Sequence, residues 1–506
     1  MKNKITDCWF RPGALALLVL LGACAQMPDV ATTARPRDAA ALGLQGTQAG
    51  TAIAEPWWRA FGDEQLDRLI TQALDTNPSL KLAQARIARA RSAFETADAA
   101  NRPQVTASLD ATHQRFTQNG LYPPPLAGSI QDTGTLQLGA SWELDFFGKN
   151  RAALDAALGQ ANAAQAEAHA ARILLASQVA RSYFQLLRLD ELLKVARRTL
   201  AQREETLRLV RDRVNAGLDT RLELRQSEGS LPQARLQIET LQEQAALTRN
   251  ALAALTGQQA GFVNTERPSL LAIKQIAIAP VIPADLLGRR ADVAAARWRV
   301  EAGQQDVASA RAQFYPNVNL VAFAGFSSIG LDRLLDSGSQ QWGVGPAVRL
   351  PLFDGGRLRA NLRGRFADLD AAIESYNATV IDAVRDVADQ IASTQSIARQ
   401  QAEQAAAQEA AESAYQIAVQ RYQAGLGNYL NVLSAETAVL NQRGLAVDLA
   451  ARALDTQVQL IRALGGGFQA DAESVSRGGF HADAESISRG GFQADAQAPA
   501  SHTAQK

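Results

Sequence analysis

Few side chains in this sequence are of the types that carry catalysis or hold metals. The chain has 4 histidines among 506 residues, and none is spaced from another ligand as a metal site requires. Neither a nucleophile elbow nor a phosphate-binding glycine loop occurs between a strand and a helix. Carboxylates are plentiful, but on helices they usually form solvated pairs with basic residues one turn away. The residues therefore predict no enzyme and no metal site.

One cysteine does have a chemical context, at the end of a secretory signal. Residues 1–23 contain a basic start and a short apolar run, Ala14 to Leu21. A bilayer span needs about 20 apolar residues, so the run predicts a signal peptide. Its end, Leu21-Gly22-Ala23-Cys24, resembles the bacterial lipobox, in which the cysteine is diacylated and becomes the first mature residue. The alternative is ordinary cleavage near Ala23, with Cys24 incidental.

Lipidation of Cys24 leads to two further expectations. Ala25 follows the cysteine in place of the aspartate that holds such lipoproteins at the inner membrane, which favours the outer membrane. Cys8 is the only other cysteine and lies in the signal, so the mature chain has no disulfide and no thiol chemistry. We expect a covalent lipid on Cys24 and no other cofactor.

The remaining sequence predicts long helices. Lys+Arg 51 balance Asp+Glu 51, which argues against a nucleic-acid partner. Aromatic residues make up only 6%, and Ala, Gln, Leu and Arg crowd the middle of the chain, as in closely packed helices. Helical periodicity extends over residues 149–215 and 357–423, so each arm would be roughly 100 Å long. A helical pattern beyond ~25 residues indicates a coiled coil or a helical repeat.

Four shorter runs predict strands. Residues 105–112 and 135–146 alternate between apolar and polar side chains, and residues 318–327 and 341–353 form the corresponding runs of the second half. This alternation is typical of a membrane-barrel strand with a wet interior, although a strand of a soluble sandwich alternates in the same way. No stretch after the signal predicts a transmembrane helix, so any membrane crossing requires strands.

The same order of predicted secondary-structure elements occurs twice in the chain. Each half predicts a helix (63–101 and 283–313), two strands, a long helix and a returning helix (220–255 and 429–464), and an Ala-Gly-Leu break separates the last two. Internal repetition of this kind governs the fold prediction. The predicted segments are a signal peptide (1–23), a lipidated tether (24–54), a first repeat (55–257), a linker (258–282), a second repeat (283–464) and a disordered tail (465–506).

The tail repeats the pattern Gly-Gly-Phe-X-Ala-Asp three times and is short, polar and rich in glycine. This composition predicts disorder. A calcium-binding repeat is the alternative, but its acidic spacing fits neither the EF-hand loop nor the nonapeptide pattern.

Four strands cannot close a membrane barrel alone, since the smallest has about 8. An open edge in lipid leaves backbone groups unpaired, so copies of the chain must pool their strands, and three copies of four strands make twelve. The helices also need neighbours on both sides. The predicted fold class is therefore an internally duplicated α+β membrane protein, in which a long α-helical barrel is continuous with a transmembrane β-barrel.

Nearly the whole mature chain, up to about Leu464, resembles the outer-membrane factor family typified by TolC, in its lipoprotein branch. The marks of this resemblance are Trp57-Trp58 with Phe61-Gly62-Asp63, Asn77-Pro78-Ser79-Leu80, residues 350–357 (Leu-Pro-Leu-Phe-Asp-Gly-Gly-Arg) and the two Ala-Gly-Leu breaks. The resemblance implies a homotrimer in the outer membrane that extends into the periplasm and conducts passively. It implies as partners a periplasmic adaptor and an inner-membrane transporter, of the proton-driven resistance-nodulation-division type.

The resemblance also implies that the adaptor docks on the tips of the two helical hairpins. Gly217 and Gly425 suit a helix reversal, because glycine tolerates left-handed backbone geometry. The alternative is that the tips are only turns. The predicted docking residues are Arg213, Ala216, Gly217, Leu218, Arg421, Tyr422, Gly425 and Leu426.

A periplasmic gate is expected just after the second tip, where family members often carry aspartates that form a constricting acidic ring. Asn431 and Ser434 stand in those places here, with Leu430 beside them, so we predict a polar, uncharged constriction. Glu223 is the counterpart of Asn431 in the first repeat and would supply an acid; the alternative is an exposed helix-face glutamate. This departure argues against cation-sensitive gating.

The predicted function is a passive trimeric efflux duct for small molecules. By resemblance multiple drugs are the expected cargo, although metal or aromatic-acid export would leave the same sequence. A structural coiled-coil envelope lipoprotein without conduction is the alternative; it explains the helices and Cys24 but not the four amphipathic strands or the duplication. A periplasmic enzyme would need a clustered polar site, which the sequence does not contain.

Overall fold

The computed structural model describes residues 29–37, 53, 55–259, 268–276 and 286–468. The predicted signal peptide and Cys24 lie outside these residues, as do most of the predicted tether, linker and tail. The first series of elements is α1 (Glu64–Thr76), α2 (Pro78–Ala99), β1 (Gln104–Arg115), β2 (Ile130–Leu144), α3 (Lys149–Asn215) and α4 (Arg221–Leu255). The second is α5 (Leu286–Arg289), α6 (Ala291–Ala312), β3 (Asn317–Ile329), β4 (Gln340–Arg349), α7 (Arg357–Gln423) and α8 (Tyr429–Ala463).

The long helices α3 and α7 begin and end at the predicted residues. Gly148 (φ 74°) precedes α3 and Gly356 (φ 89°) precedes α7, both in the left-handed conformation. Residues with a Cβ adopt this conformation at a cost of roughly 1–2 kcal/mol, whereas glycine adopts it freely. The glycines therefore mark the starts of both helices in the sequence.

The helix predicted over residues 63–101 is wrong in one respect, because it is two helices. Asn77 has an extended backbone, and its side chain accepts a hydrogen bond from the Ser79 N–H at 2.9 Å, which caps α2. Pro78 occupies the first position of α2, where the missing N–H has no helical partner to lose. The chain therefore breaks between α1 and α2.

The helix predicted over residues 283–313 is also broken, at Arg290. This residue is extended and buried, and its guanidinium pairs with Asp292 at 2.7 Å and Asp386 at 3.5 Å. It also donates to the Ala463 carbonyl at 3.3 Å. Contacts with α7 and α8 thus hold the break, which local sequence preference did not reveal.

The four strands form one antiparallel sheet in chain order, so β1 and β4 are its edges. The register aligns Ala107 with Leu138, Leu138 with Ala324, and Ala324 with Trp342. Directly opposite residues share a face of the sheet, and the apolar face predicted from the alternation runs across all four strands. The fourth strand ends at Arg349 rather than at the predicted Phe353.

The helices pack side by side in two tiers. In the sheet-side tier, α2 contacts α3, α3 contacts α6, and α6 contacts α7. In the tip-side tier, α4 contacts α3, α3 contacts α8, and α8 contacts α7. The long helices α3 and α7 belong to both tiers. Among the described residues, no helix has both the length and the hydropathy to cross a bilayer.

The largest apolar core includes the tryptophan motif that precedes α1. Trp57, Trp58 and Phe61 are buried, and the Phe61 ring packs edge-on against Phe184 of α3 with centroids 5.1 Å apart. Such aromatic pairs contribute about 0.5–1.5 kcal/mol beyond the area they bury. The motif therefore attaches the start of the first repeat to the middle of α3.

The predicted tether is attached to the fold where the structure describes it. Residues 29–37 form no regular element, but they hydrogen-bond to Asp370 and Asn377 of α7. These residues have no regular secondary structure, as predicted for a tether, and two polar side chains of α7 bind them.

Candidate functional site

The chain reverses at two hairpin tips that have the same backbone geometry. At the first tip, Gly217 is left-handed (φ 73°), its N–H donates to the Val214 carbonyl at 3.0 Å, and the Leu218 N–H donates to the Arg213 carbonyl at 2.9 Å. The same two bonds, at 3.0 and 2.8 Å, close the second tip around Gly425 (φ 76°). This pattern is the Schellman motif, which satisfies the last carbonyls of a helix. The predicted glycine reversal is confirmed at both tips.

Each tip presents small residues and one leucine to solvent. Leu218 is 65% exposed and Leu426 is 69% exposed, and a Cβ added to Gly217 or Gly425 would meet no atom within 4 Å. Ala216 is exposed beside them. The tips are therefore accessible apolar surfaces; docking of an adaptor on them stays a prediction.

A buried polar network ties one hairpin to the other just behind the tips. Arg213, at the end of α3, donates to Asp219 from Nε at 3.0 Å and from Nη2 at 3.4 Å. The hydroxyl of Tyr422, at the end of α7, donates to the same carboxylate. The Arg213 guanidinium also lies 4.7 Å from the centre of the Tyr422 ring. Asp219 thus joins the first hairpin to the second.

The electrostatics of this network favour an ionised Asp219. Burial raises the pKa of the carboxyl, but the hydrogen bonds from Arg213 and Tyr422 outweigh burial and hold the pKa below its ordinary value. Burial, followed by the bond to Asp219, raises the pKa of the Tyr422 hydroxyl. The hydrogen bond to Asp219 raises the pKa of Arg213. A carboxylate, a guanidinium and a neutral phenol are therefore the stable states.

Apolar side chains surround the network. Val210, Tyr422, Tyr429 and Val432 form a buried cluster from α3, α7 and α8. The rings of Tyr422 and Tyr429 lie 6.1 Å apart, centre to centre. Because the cluster excludes water from one side, the bonds to Asp219 are stronger than they would be in solvent.

The docking role predicted for Tyr422 and Arg213 needs correction. Tyr422 is 1% exposed, and the Arg213 side chain is 12% exposed, so neither offers a surface to a partner. Both side chains bind Asp219 instead, and the structure gives them a role in holding the tips together. Arg421 is exposed and donates to the carbonyl of Leu426 at 3.3 Å, within its own tip.

Asp219 is not among the predicted site residues, although the internal repeat contains a signal for it. The repeat aligns Arg213 with Arg421, and the same offset aligns Asp219 with Gly427 and Val214 with Tyr422. Both members of the cross-hairpin bond are therefore positions at which the two repeats differ. Departures from the internal symmetry at the tips mark the residues that join one hairpin to the other.

The predicted gate residues lie on the first turns of α8. The side chains of Leu430, Asn431 and Ser434 are exposed in the single chain. The side chain of Asn428 caps the helix by accepting from the Asn431 N–H at 3.1 Å. The three side chains are thus free to line an opening, and their role in a gate stays a prediction.

Glu223 is engaged in a local bond rather than free to project an acid. Its carboxylate accepts from the Thr220 N–H at 3.0 Å, and the Thr220 side chain caps α4 in return. The hydrogen bond from the Thr220 side chain lowers the pKa of Glu223. This reciprocal capping box stabilises the start of α4. Glu223 is half-buried rather than exposed, and its role in a gate stays a prediction.

A second polar contact joins the hairpins farther from the tips. Arg203 of α3 donates to Glu436 of α8 at 3.1 Å and to the Ser230 carbonyl of α4 at 3.0 Å. The side chain of Arg203 is only 13% exposed, and that of Glu436 only 9%. Burial raises the pKa of Glu436 more than the attraction of Arg203 lowers it. Arg203 therefore links three helices of the tip-side tier.

A model of one protein family matches both halves of the chain. The family is described as outer membrane efflux protein, and the match covers residues 69–258 and 282–466. The two matched ranges each contain a long helix, a tip and a returning helix. The fold and the paired tips described above are thus features of a chain that matches this family over most of its length.

Curated relatives and solved structures agree with this match. The chain is 33% identical over 470 residues to the outer membrane protein OprJ of Pseudomonas aeruginosa, covering 91% of this chain and 96% of that one. It is 34% identical over 422 residues to the multidrug resistance outer membrane protein MdtP of Escherichia coli K12, covering 82% and 86%. The crystal structure of the outer membrane protein VceC of Vibrio cholerae superposes with a TM-score of 0.78 at 38% identity, covering 83% of this chain and all of that one.

Proposed function

Because the chain belongs to the outer membrane efflux protein family, and is an outer-membrane channel rather than an enzyme, we propose that three copies form one passive duct from the periplasm to the exterior. The sheet carries this proposal. Among the described residues, each edge strand, β1 and β4, is paired on one side only, and the apolar face of the sheet exposes Val105, Leu109 and Trp342.

Unpaired backbone groups in lipid cost several kcal/mol each. Pairing β1 of one copy with β4 of the next satisfies both edges, and three copies of four strands close a sheet of twelve.

The helix edges support the same assembly. Among the helices that the structure describes, α4 and α7 pack against one main neighbouring helix each in the tip-side tier, and α2 and α7 do so in the sheet-side tier. Leu80 is the only buried residue of α2 in the single chain. Three copies, each with four helices per tier, would place twelve helices around one channel and cover these edges.

The tips would form the periplasmic mouth of the duct, closed in the resting state. The bond from Tyr422 to Asp219 holds the second hairpin against the first. Opening requires this bond to break, so that α7 and α8 move away from the axis. In the resting state the exposed side chains of Leu430, Asn431 and Ser434 would line the constriction.

The partners would be a periplasmic adaptor and an inner-membrane transporter of the proton-driven resistance-nodulation-division type. The exposed leucines at the tips, Leu218 and Leu426, support adaptor docking. Because MdtP is named for multidrug resistance, several drugs are the proposed cargo. Metal or aromatic-acid export is the alternative, and sensitivity of a deletion strain to drugs, metals and organic acids distinguishes them.

Lipidation of Cys24 is part of the proposal. The support is the lipobox-like run before it and the Ala25 that follows. The lipid would add to the hold of the sheet on the outer membrane. The intact mass of the mature N-terminal peptide tests it: a diacylated Cys24 is expected, and an unmodified Cys24 would contradict it.

Conductance of the purified protein in a planar bilayer tests the duct. We expect discrete single-channel currents from an oligomer of three chains. A structural envelope lipoprotein would give no current, and that result would refute the proposed function.

Export in cells tests the role of the tips. Gly425→Trp should abolish complementation of the deletion strain while trimers still reach the outer membrane, because the bulky side chain alters the docking surface. Gly444→Ala is the matched control, since Gly444 lies within α8 and an added Cβ meets no atom within 4 Å. Normal export by Gly425→Trp would show that the tips are only connectors.

A further inference from the structure

A groove of about 770 Å³ runs along the middle of α3, with α4 on one side and α8 on the other. Its floor is a polar stripe of α3. Residues three or four positions apart lie on one face of a helix, and the stripe has this spacing: it consists of Gln178, Arg181, Ser182, Gln185 and Arg188. The groove therefore follows one face of α3 for about three turns.

The side of the groove that α4 forms is uncharged and partly apolar. Leu247, Thr248, Ala251 and Leu255 line it. Leu247 is 60% exposed in the single chain. A solute whose apolar part covers this leucine removes apolar surface from water on both partners, which favours binding.

The side of the groove that α8 forms carries two carboxylates, and both already have partners. Asp448 accepts a hydrogen bond from Nε of Arg188 at 2.7 Å. Asp455 accepts from Nε of Arg181 at 2.5 Å through one oxygen and from the amide of Gln459 at 2.6 Å through the other. The charges of the two arginines in the floor are therefore balanced by those of the two aspartates.

Arg452 adds a positive charge to the same side. It lies on α8 between the two aspartates, lines the groove and is exposed. Within the described part of the chain, Arg452 takes part in no ion pair and no hydrogen bond. Its guanidinium is therefore available to a solute in the groove.

Helix α7, which packs beside α8, offers no acid at this level. Gln404 of α7 donates to the Gln442 carbonyl of α8 at 2.9 Å. Because the two helices form an antiparallel hairpin, Arg452 lies beside about residue 394. Residues 390–398 are all uncharged. Three arginines and two aspartates line the groove, so its net charge is positive.

The opposite face of α3 and α8 is covered by other elements. The Tyr183 hydroxyl of α3 donates at 2.6 Å to Asp63, the residue that caps α1. Gln457 of α8 accepts from the Ile276 N–H at 3.0 Å. Tyr183 lies two residues from Gln185, and Gln457 lies two residues beyond the last α8 residue of the groove. Two residues of helix correspond to about 200° of rotation, so both contacts are on the far side from the groove.

In the proposed duct the uncovered face lines the channel. Twelve helices with axes ~9 Å apart form a ring about 34 Å across, and helices ~10 Å thick leave roughly 24 Å of open width. A layer containing α1 from each of three copies would fill most of that width if it faced inward. The covered face therefore lies outside and the groove opens on the channel. The copies meet at α4 and α7, so their contacts leave the floor of the groove uncovered.

We infer that the groove is a transit site for amphipathic anions: the anionic group of a solute pairs with Arg452 while its apolar part lies against Leu247. The inference rests on the proposed duct and names a class of cargo for it. A carboxylate or sulfonate accepts charge-assisted hydrogen bonds from a guanidinium. Conduction also requires a solute to leave as readily as it enters, and an exposed ion pair strengthens binding by only about two- to fivefold.

Block of single-channel current by octanesulfonate tests the site. With wild-type channels in a planar bilayer, octanesulfonate should lower the current as its concentration rises. Octyltrimethylammonium, which has the same chain length and the opposite charge, should do so much less. Arg452→Gln should raise the half-blocking concentration of octanesulfonate about two- to fivefold. Arg452→Lys should keep the wild-type value, because it retains the positive charge.

A second variant tests the apolar side of the groove. Leu247→Asn should raise the half-blocking concentration of octanesulfonate, because the octyl chain loses its apolar contact. It should leave the weaker effect of ethanesulfonate unchanged, since that anion has no long apolar part. An equal effect of Leu247→Asn on both sulfonates would show that the α4 side does not bind the apolar part.

Arg197→Gln is the matched control. Arg197 is exposed on α3 and, among the described residues, has no ion-pair partner. It lies nine residues from Arg188, which places it on the opposite face of the helix. The variant thus removes the same charge from the outside of the duct, and octanesulfonate should block it as it blocks the wild type.

Three results would overturn the transit site while the duct remained. These are the same half-blocking concentration in Arg452→Gln as in the wild type, an equal rise in Arg197→Gln, and equal block by the anion and the cation. Absence of any current from the wild type would instead refute the duct, on which the inference depends.

Discussion

Tyr422→Phe should loosen the periplasmic mouth without disturbing the surrounding core. The change removes one hydroxyl, which donates to Asp219 across the two hairpins. The ring keeps its place in the cluster with Val210 and Val432. The variant therefore removes the bond between the hairpins and retains the packing.

The size of the expected shift depends on the hydrogen bonds that Asp219 retains in the variant. A hydrogen bond to a charged group contributes about 1.5–3 kcal/mol. Arg213 still donates two bonds to the carboxylate, so no buried charge is left unpaired and the lower value applies. A loss of ~1.5 kcal/mol shifts the closed-to-open equilibrium of one chain about tenfold. If three chains open together, three such factors multiply to about 10³.

Single-channel recording in planar bilayers measures this shift. The open fraction of Tyr422→Phe should rise well above that of the wild type under identical salt and voltage. Tyr429→Phe is the matched control, because Tyr429 is 2% exposed and lies in the same cluster, but takes no part in the bonds to Asp219. It should behave as the wild type.

Two results would refute the reasoning. A wild-type open fraction in Tyr422→Phe trimers would show that the bond to Asp219 does not hold the mouth closed. An equal rise in Tyr429→Phe would attribute the effect to packing in the cluster.

Four other predictions follow from the tips and the contacts behind them. The pKa of Asp219 in the folded chain lies below its ordinary value of 3.8, so the carboxylate stabilises the closed tips above pH 3.8 and loses this effect as the pH falls through the folded pKa. Conductance should therefore stay constant from about pH 7 to about pH 5 and rise only below about pH 3.8. Asp219→Asn should abolish this rise. Gly425→Ala should lower stability by about 1–2 kcal/mol through left-handed strain alone, because the added Cβ has open space, and an unchanged melting temperature would contradict it. Arg203→Met should destabilise the trimer by about 3 kcal/mol in thermal melting by leaving Glu436 unpaired, and adding Glu436→Gln should recover part of the loss. With Asn431 and Ser434 at the constriction, Ca²⁺ and Mg²⁺ should not block single-channel current, and a strong block would show that the gate assignment is wrong.

Much of the fold was predictable because nearby residues determine where its helices and strands begin and end. Gly148 and Gly356 precede the long helices, and Gly217 and Gly425 reverse the chain where those helices end, since each adopts a backbone conformation that other residues avoid. The alternation of the strands likewise predicted their shared apolar face. These signals act within a few residues, so one sequence suffices to detect them.

The rest depends on contacts between distant residues. Asp219 and Tyr422 are 203 positions apart, and neither has a local pattern that predicts the bond. Arg290 breaks a helix because Asp386 and the Ala463 carbonyl surround it. Residues 29–37 have no periodic pattern, and the polar residues that bind them, Asp370 and Asn377, belong to α7. In all three cases the structure depends on contacts with residues that are distant in the sequence.

The continuity of α3 and α7 through both tiers gives the mouth a mechanical advantage. Each helix is an arm of roughly 100 Å, and a tilt of about two degrees at its sheet end displaces the tip by about 3.5 Å. That displacement carries the Tyr422 hydroxyl out of bonding range of Asp219. A tilt this small leaves the packing of the sheet-side tier intact but separates the tips fully. A partner bound to the tips therefore needs to supply little more than the energy of the bonds that it breaks there.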